Sequence, residues 1–360
     1  MFCKLFLLAV GSILIALAVS PSMILIFLVG YSIFIAHNKK AGLIISTLLI
    51  LGFTLDWFQF TYLPQAKSLL DRGWDLMQVI ESDDYHSLRF IAVYPSVLLE
   101  EYLRIDIDEA FTYYILILSY FFLLTINRFT LFYTNGKQSR TLRFYMVVLP
   151  LFFAVLPLIN GRVILPYLGM ALVLLHQCSL IYTGKFQLSK AYIYILGMFL
   201  ATVSSGIVII LFLQVCFGIY IMITNQFVNK YRGIIFVGFS AVLFLPYVML
   251  GITKNLDFFD EDILKLLSHG LGRLLTNLSI LDIIMIMLIG FLGVLFVLII
   301  NKKLAQRNKI LLPIVVSIEV SIVGSLFGFL TGTMLLPGLL SLIIIGLNRI
   351  NASNDKVQTG

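Results

Sequence analysis

The sequence predicts an all-α polytopic integral membrane helical bundle of about twelve transmembrane helices, some short or re-entrant, with two outer-face loop regions that contain amphipathic helices. Three observations lead there. The 360 residues are 60% hydrophobic and only 12% charged, with a mean hydropathy of +1.03. Water would not wet the exterior of so apolar a chain, whereas a lipid-facing exterior requires it and leaves helices or closed barrels as the spanning structures. The apolar runs are long and continuous rather than alternating, which excludes the barrel. Finally, basic and acidic residues fall in different inter-span segments, the pattern of a chain threaded with a fixed orientation.

The net charge of +7 would suit nucleic acid, but the basic residues sit in short loops between apolar runs, where they act as topology determinants. Nucleic acid is therefore rejected as a partner. The three cysteines, Cys3, Cys178 and Cys216, lie in or beside apolar runs, and packing is the expected role of each. The first run follows Lys4 and ends near Ala16-Leu17-Ala18, with Pro21 beyond. It has the look of a cleavable signal, yet in a chain of many spans it reads as an uncleaved first span.

Taken in order, spans are expected at roughly 5–19, 22–36, 41–58, 110–127, 144–159, 163–183, 191–203, 207–224, 233–251, 279–300, 310–329 and 333–347, several of them short for a bilayer. The turn at Ser204-Ser205-Gly206 could belong to a re-entrant hairpin. With the N-terminus inside, the inner segments hold Lys4, Lys39, Lys40, Arg128, Lys137, Arg140, Arg143, Lys185, Lys190, Lys230, Arg232, Lys302, Lys303, Arg307, Lys309, Arg349 and Lys356. Of the 18 acidic residues only Asp355 joins them. Both termini are thus expected in the cytoplasm. One transmembrane domain, 1–350, carries outer regions at 59–109 and 252–278, and a polar tail, 351–360, follows.

The first outer region opens at Asp56-Trp57 and holds both tryptophans, Trp57 and Trp74, with Phe58, Phe60, Tyr62 and Tyr85. Such rings either stack on the apolar faces of sugars or form an interfacial belt, the latter favoured for Trp57 and the phenylalanines. Asp83, Asp84 and His86 could supply a general base with an orienting partner, bind a hard cation, or simply be solvated. Asp106-Ile107-Asp108-Glu109 has the Asp-x-Asp spacing of some metal-dependent glycosyltransferases. It also has capping-box spacing in front of a span, which is the preferred reading. In 95–104, Leu98, Leu99, Tyr102 and Leu103 share a side, and Glu100 with Arg104 has ion-pair spacing. This predicts a short helix on the membrane surface.

Arg162 is an isolated cation between two spans on the outer side, suited to a lipid phosphate or to a diphosphate leaving group. In the second outer region Leu264, Leu267, Leu271 and Leu274 recur at helical spacing. Lys265, His269 and Arg273 lie opposite as a basic stripe, attached to headgroups or receiving a phosphorylated lipid. His37 and His176 read as packing or interface residues. Glu319 is the one clear intramembrane carboxylate.

The order of these features resembles a family: a span ending in Asp56, then Tyr62 and Leu69-Leu70-Asp71-Arg72-Gly73-Trp74, then Ala110-Phe111 opening a span. Arg162, the inner turn with Lys185 and Lys190, and the Ser204-Ser205-Gly206 hairpin follow. Together they look like the EpsG and Wzy-like polymerases of bacterial surface polysaccharides. The chain departs in having Arg162-Val163 where that family often has Arg-Gln, and Ser204-Ser205 where a histidine is common.

The resemblance implies joining of undecaprenyl-diphosphate-linked repeat units into O-antigen, capsule or exopolysaccharide on the outer face of the bacterial cytoplasmic membrane. Asp56, Asp84 or His86 would then be the base. Arg162 and Arg273, supported by Arg89, Lys265 and His269, would take the diphosphate, and Trp57, Trp74 and Tyr85 would stack on sugar. The donor already carries its diphosphate, so no cofactor or metal is implied. Membrane lipids and a chain-length regulator protein are the further partners in view. A multi-span lipid-linked-sugar glycosyltransferase and a lipid-linked oligosaccharide flippase are the alternatives, and an acyltransferase a more distant one.

Overall fold

The computed structural model describes residues 2–73, 75–81, 87–134, 149, 152–153, 156–157, 164–203, 205–224, 228–258 and 313. The spans expected at 279–300 and 333–347, nearly all of those at 144–159 and 310–329, the amphipathic stripe after 259, Glu319 and the tail lie outside the described residues. Among the described residues the structure is helical, with no strand beyond an isolated bridge between Lys185 and Val228.

The order is α1 (Phe2–Ala18), a 3₁₀ turn (Pro21–Leu25), α2 (Ile26–Phe34), α3 (Lys39–Thr54), α4 (Pro64–Asp71), α5 (Leu76–Glu81), α6 (Ser87–Leu103), α7 (Ile107–Thr134), α8 (Ile164–Thr183), α9 (Ala191–Thr202), α10 (Ser205–Thr224) and α11 (Lys230–Phe258). Among the described residues two helices, Ile107–Arg128 and Ile164–Thr183, are long and apolar enough to cross a bilayer by length and composition. Shorter apolar helices occupy Cys3–Ala18, Pro21–Phe34, Ala191–Thr202 and Gln214–Thr224.

Several boundaries follow from local chemistry. The Asn38 side chain accepts the Ala41 N–H at 3.2 Å and starts α3. Pro64 opens α4, where its missing N–H costs nothing. Gly184, at φ +63°, closes α8 with its N–H on the Leu180 carbonyl at 2.9 Å. The span expected over 41–58 stops at Thr54, because Asp56 turns to φ +54° and the chain continues extended to Leu63. The short helix expected over 95–104 is the second half of the 17-residue α6, with Pro95 inside it. The helix expected to end near 251 runs on to Phe258.

The chain forms two compact units: Met1–Arg128 with Phe152–Leu168, and Phe129–Leu151 with Gly169–Gly360. In the first, α3 and α7 run antiparallel. The ring of Phe53 lies 5.2 Å from that of Tyr113 near one end, and a Cβ on Gly42 would stand 3.1 Å from the Tyr120 hydroxyl toward the other. Ser32 on α2 ties the pair together. Its hydroxyl donates to the Leu28 carbonyl at 2.7 Å and receives the Tyr120 hydroxyl at 2.6 Å, all buried. A polar bond of this kind, closed on itself, can be buried without leaving an orphaned group.

In the second unit, α8 and α9 meet backbone to backbone. A Cβ on Gly169 would fall 2.6 Å from the Gly197 carbonyl, and one on Gly197 would fall 2.8 Å from the Gly169 carbonyl. Gly197 and Ala201 supply the small-xxx-small spacing that allows such an approach. The Gln177 amide of α8 donates to the Gln214 carbonyl of α10 at 2.7 Å. Cys178 is buried as expected, while Cys3 and Cys216 are exposed free thiols.

Candidate functional site at the acidic end of the first unit

Charge is distributed unequally along α3 and α7. Helix α3 begins at Lys39-Lys40 and is followed by Asp56. Helix α7 begins with Asp108 and Glu109 and carries Arg128 21 residues on from Ile107. At 1.5 Å per residue those ends are about 32 Å apart, close to the ~30 Å of a bilayer core. Because the helices are antiparallel, Asp56, Asp108 and Glu109 fall at one end of this helix pair and Lys39, Lys40 and Arg128 at the other.

The extended segment 57–63 builds the acidic end. Its side chains alternate: Phe58, Phe60 and Tyr62 point inward and are buried, whereas Trp57, Gln59 and Thr61 face outward. It is fastened to the first turns of α7 at two points. The Phe60 N–H donates to the Thr112 hydroxyl at 3.0 Å, and the Tyr62 N–H to the Asp108 carboxylate at 2.6 Å. The belt expected of Phe58 and Phe60 is thereby corrected. They stack on each other at 6.1 Å as core, because period-two backbone sends alternate rings inward. Trp57 alone remains outside, 59% exposed, with its indole N–H on the Phe153 carbonyl at 3.2 Å.

Both carboxylates of the Asp-x-Asp sequence are occupied. Asp106 accepts the Asp108 N–H at 2.8 Å as the cap of α7, and Asp108 holds Tyr62. Glu109, the third acid, accepts the Tyr113 hydroxyl rather than completing the capping box. Among the described residues no group of three His, Cys, Asp or Glu side chains is arranged to hold a metal ion.

Glu100 and Tyr62 form a pair that their sequence positions gave no cause to connect. Tyr62 is 2% exposed and among the described residues its hydroxyl has no hydrogen-bond partner. Burial, and then the nearby Glu100 charge, push that hydroxyl above the usual phenol range. Burial, then Asp106 and Glu101, raise the Glu100 carboxyl above its ordinary 4.5. Among the described residues no ion pair joins Glu100 to Arg104. Arg104 lies past the end of α6 in left-handed backbone, φ +54°, which takes it off the helical spacing that an i,i+4 pair needs. Of the expected stripe, Leu103 is buried, Leu98 and Tyr102 are exposed, and Phe90, Val93 and Val97 form the packed face instead.

Of the candidate site residues, the structure places Asp56 and Trp57 together at the corner after α3, both exposed, and Arg89 half-buried in the first turn of α6. Trp74, Asp84, Tyr85, His86, Arg162, Lys265, His269 and Arg273 lie outside the described residues. No protein-family model, no curated protein and no solved structure matches the chain.

Proposed function

We propose that the chain is a multi-pass protein of the bacterial cytoplasmic membrane, with about twelve spans and both termini inside. In this reading it polymerises undecaprenyl-diphosphate-linked oligosaccharide repeat units on the outer face. The observation that carries it is the two-sided charge of the first unit: carboxylates at the ends of α3 and α6 and the start of α7, cations at the far ends of α3 and α7. The outer acidic end then meets the lipid-borne glycan.

There the chemistry needs a base for the acceptor hydroxyl as it attacks the anomeric carbon, and cations for the departing diphosphate. Asp56, Asp84 and His86 are candidate bases. Glu100 joins them, since a carboxyl with raised proton affinity takes a hydroxyl proton more readily than an ordinary one. Arg162, Arg273 and Arg89, with Lys265 and His269, take the diphosphate. Trp57, which projects from the corner beside Asp56, offers a face for a sugar ring, as do Trp74 and Tyr85.

The test is a glycan profile of a deletion strain complemented with single variants. Arg162→Ala should abolish polymer and leave single repeats on lipid, and Glu100→Gln should shorten or remove the ladder. Unchanged ladders in both would end the polymerase reading. Addition of one sugar only, dependent on a divalent cation, would replace it with a glycosyltransferase, and lipid flipping without polymer with a flippase.

A further inference from the structure

Between Glu109 and Asp257 the sequence contains no aspartate or glutamate. The foot of α8 nevertheless gathers two lysines around a small surface depression lined by His176, Ser179, Thr183, Lys185, Gln187 and Lys190, with Leu180 as its apolar wall. Among the described residues the Lys190 ammonium reaches only the neutral Ser179 hydroxyl, at 3.3 Å. Lys185 is exposed on the residue after the left-handed Gly184, and among the described residues no carboxylate neutralises it. His176 is 7% exposed, its ring held 5.2 Å from Tyr194 and 6.1 Å from Phe186.

We propose that this pocket binds a phosphate group. Two ammonium groups with no carboxylate partner among the described residues favour an anion from outside the chain. The Ser179 hydroxyl, the Gln187 amide and the imidazole supply the neutral hydrogen-bonding complement that a tetrahedral oxyanion takes and a simple counter-ion atmosphere does not. A lysine present only to orient the chain needs no such pocket. The phosphate chemistry stands apart from the polymerase reading. Whether the group belongs to a phospholipid or to a soluble compound depends on whether this end of α8 faces a membrane surface.

The full-length protein, purified in detergent, would be examined by native mass spectrometry with short-chain phosphatidylglycerol and with phosphatidylcholine. In parallel, thermal unfolding would be followed with inorganic phosphate. Retention of phosphatidylglycerol without stabilisation by phosphate identifies a lipid headgroup, and stabilisation by phosphate identifies a soluble source. Lys185→Gln with Lys190→Gln should weaken whichever binding is seen by about tenfold. Lys185→Arg with Lys190→Arg should keep most of it, and Lys230→Gln, a charge loss outside the pocket, should leave it unchanged. The single lysine variants carry the same comparison where the double variant does not fold. Binding of neither probe, or equal binding by wild type and the glutamine variants, or equal loss in Lys230→Gln, would overturn the proposal.

Discussion

The carboxylate of Asp108 accepts the backbone N–H of Tyr62 at 2.6 Å, 46 residues back along the chain. One side chain in the first turn of α7 thus fixes the path of the extended segment that leaves α3. An ionised acceptor makes this a strong bond, and removing it leaves the Tyr62 amide without its partner. Asp108→Ala should therefore destabilise the protein by about 1–3 kcal/mol. Asp108→Asn, which keeps an acceptor, should cost less. Thermal unfolding in detergent measures both, and equal midpoints for Asp108→Ala and wild type would show that the tie contributes nothing.

The Gly169–Gly197 crossing gives a second prediction. Adding one methyl at either glycine drives it into the backbone of the facing helix, so Gly197→Ala should destabilise by about 1–3 kcal/mol. Gly238 on α11 has nothing within 4 Å of an added Cβ. There the same substitution should be neutral or stabilising by up to about 1 kcal/mol through helix propensity. The opposite signs, read from denaturation midpoints, separate close approach from a general intolerance of alanine.

Arg104 ends α6 at φ +54°, a position that glycine adopts without steric penalty. Arg104→Gly should stabilise by about 1 kcal/mol, and Arg104→Val should destabilise by more than that. Denaturant midpoints of the three forms would test the ordering.

Glu100 predicts a pH dependence. Its carboxyl is raised above 4.5, so in the window just above that pH the folded protein binds more protons than the unfolded chain. Stability contributed by this group is then full below the ordinary value, declines as pH rises through the raised value, and is flat beyond it. Glu100→Gln should remove the decline and raise the unfolding temperature at neutral pH. Parallel profiles for the two proteins would contradict the assignment.

Much of this could be read from the chain. Apolar runs long enough to span announce α7 and α8, since length and continuity are one-dimensional properties. Asp106 is legible as a cap because it acts two residues away. The burial of Phe58 and Phe60 was written in the alternation of residues 57–62, but a single period-two segment between helices is easily read as an exposed aromatic patch. The Tyr62–Glu100 and Gly169–Gly197 relationships join residues 38 and 28 positions apart through helix packing. No local pattern carries them. Of the candidate site, Asp56, Trp57 and Arg89 could be placed, and the acids Glu100, Asp106 and Asp108 were visible in the sequence, but not their partners.

At the Gly169–Gly197 crossing the backbones of α8 and α9 meet directly, with the Val173 side chain alongside. Side-chain layers let helices slide by changing rotamers, and a contact between main chains has no rotamers to change. Any shift of one helix along the other at this point has to move main chain past main chain, which fixes the register of α8 against α9.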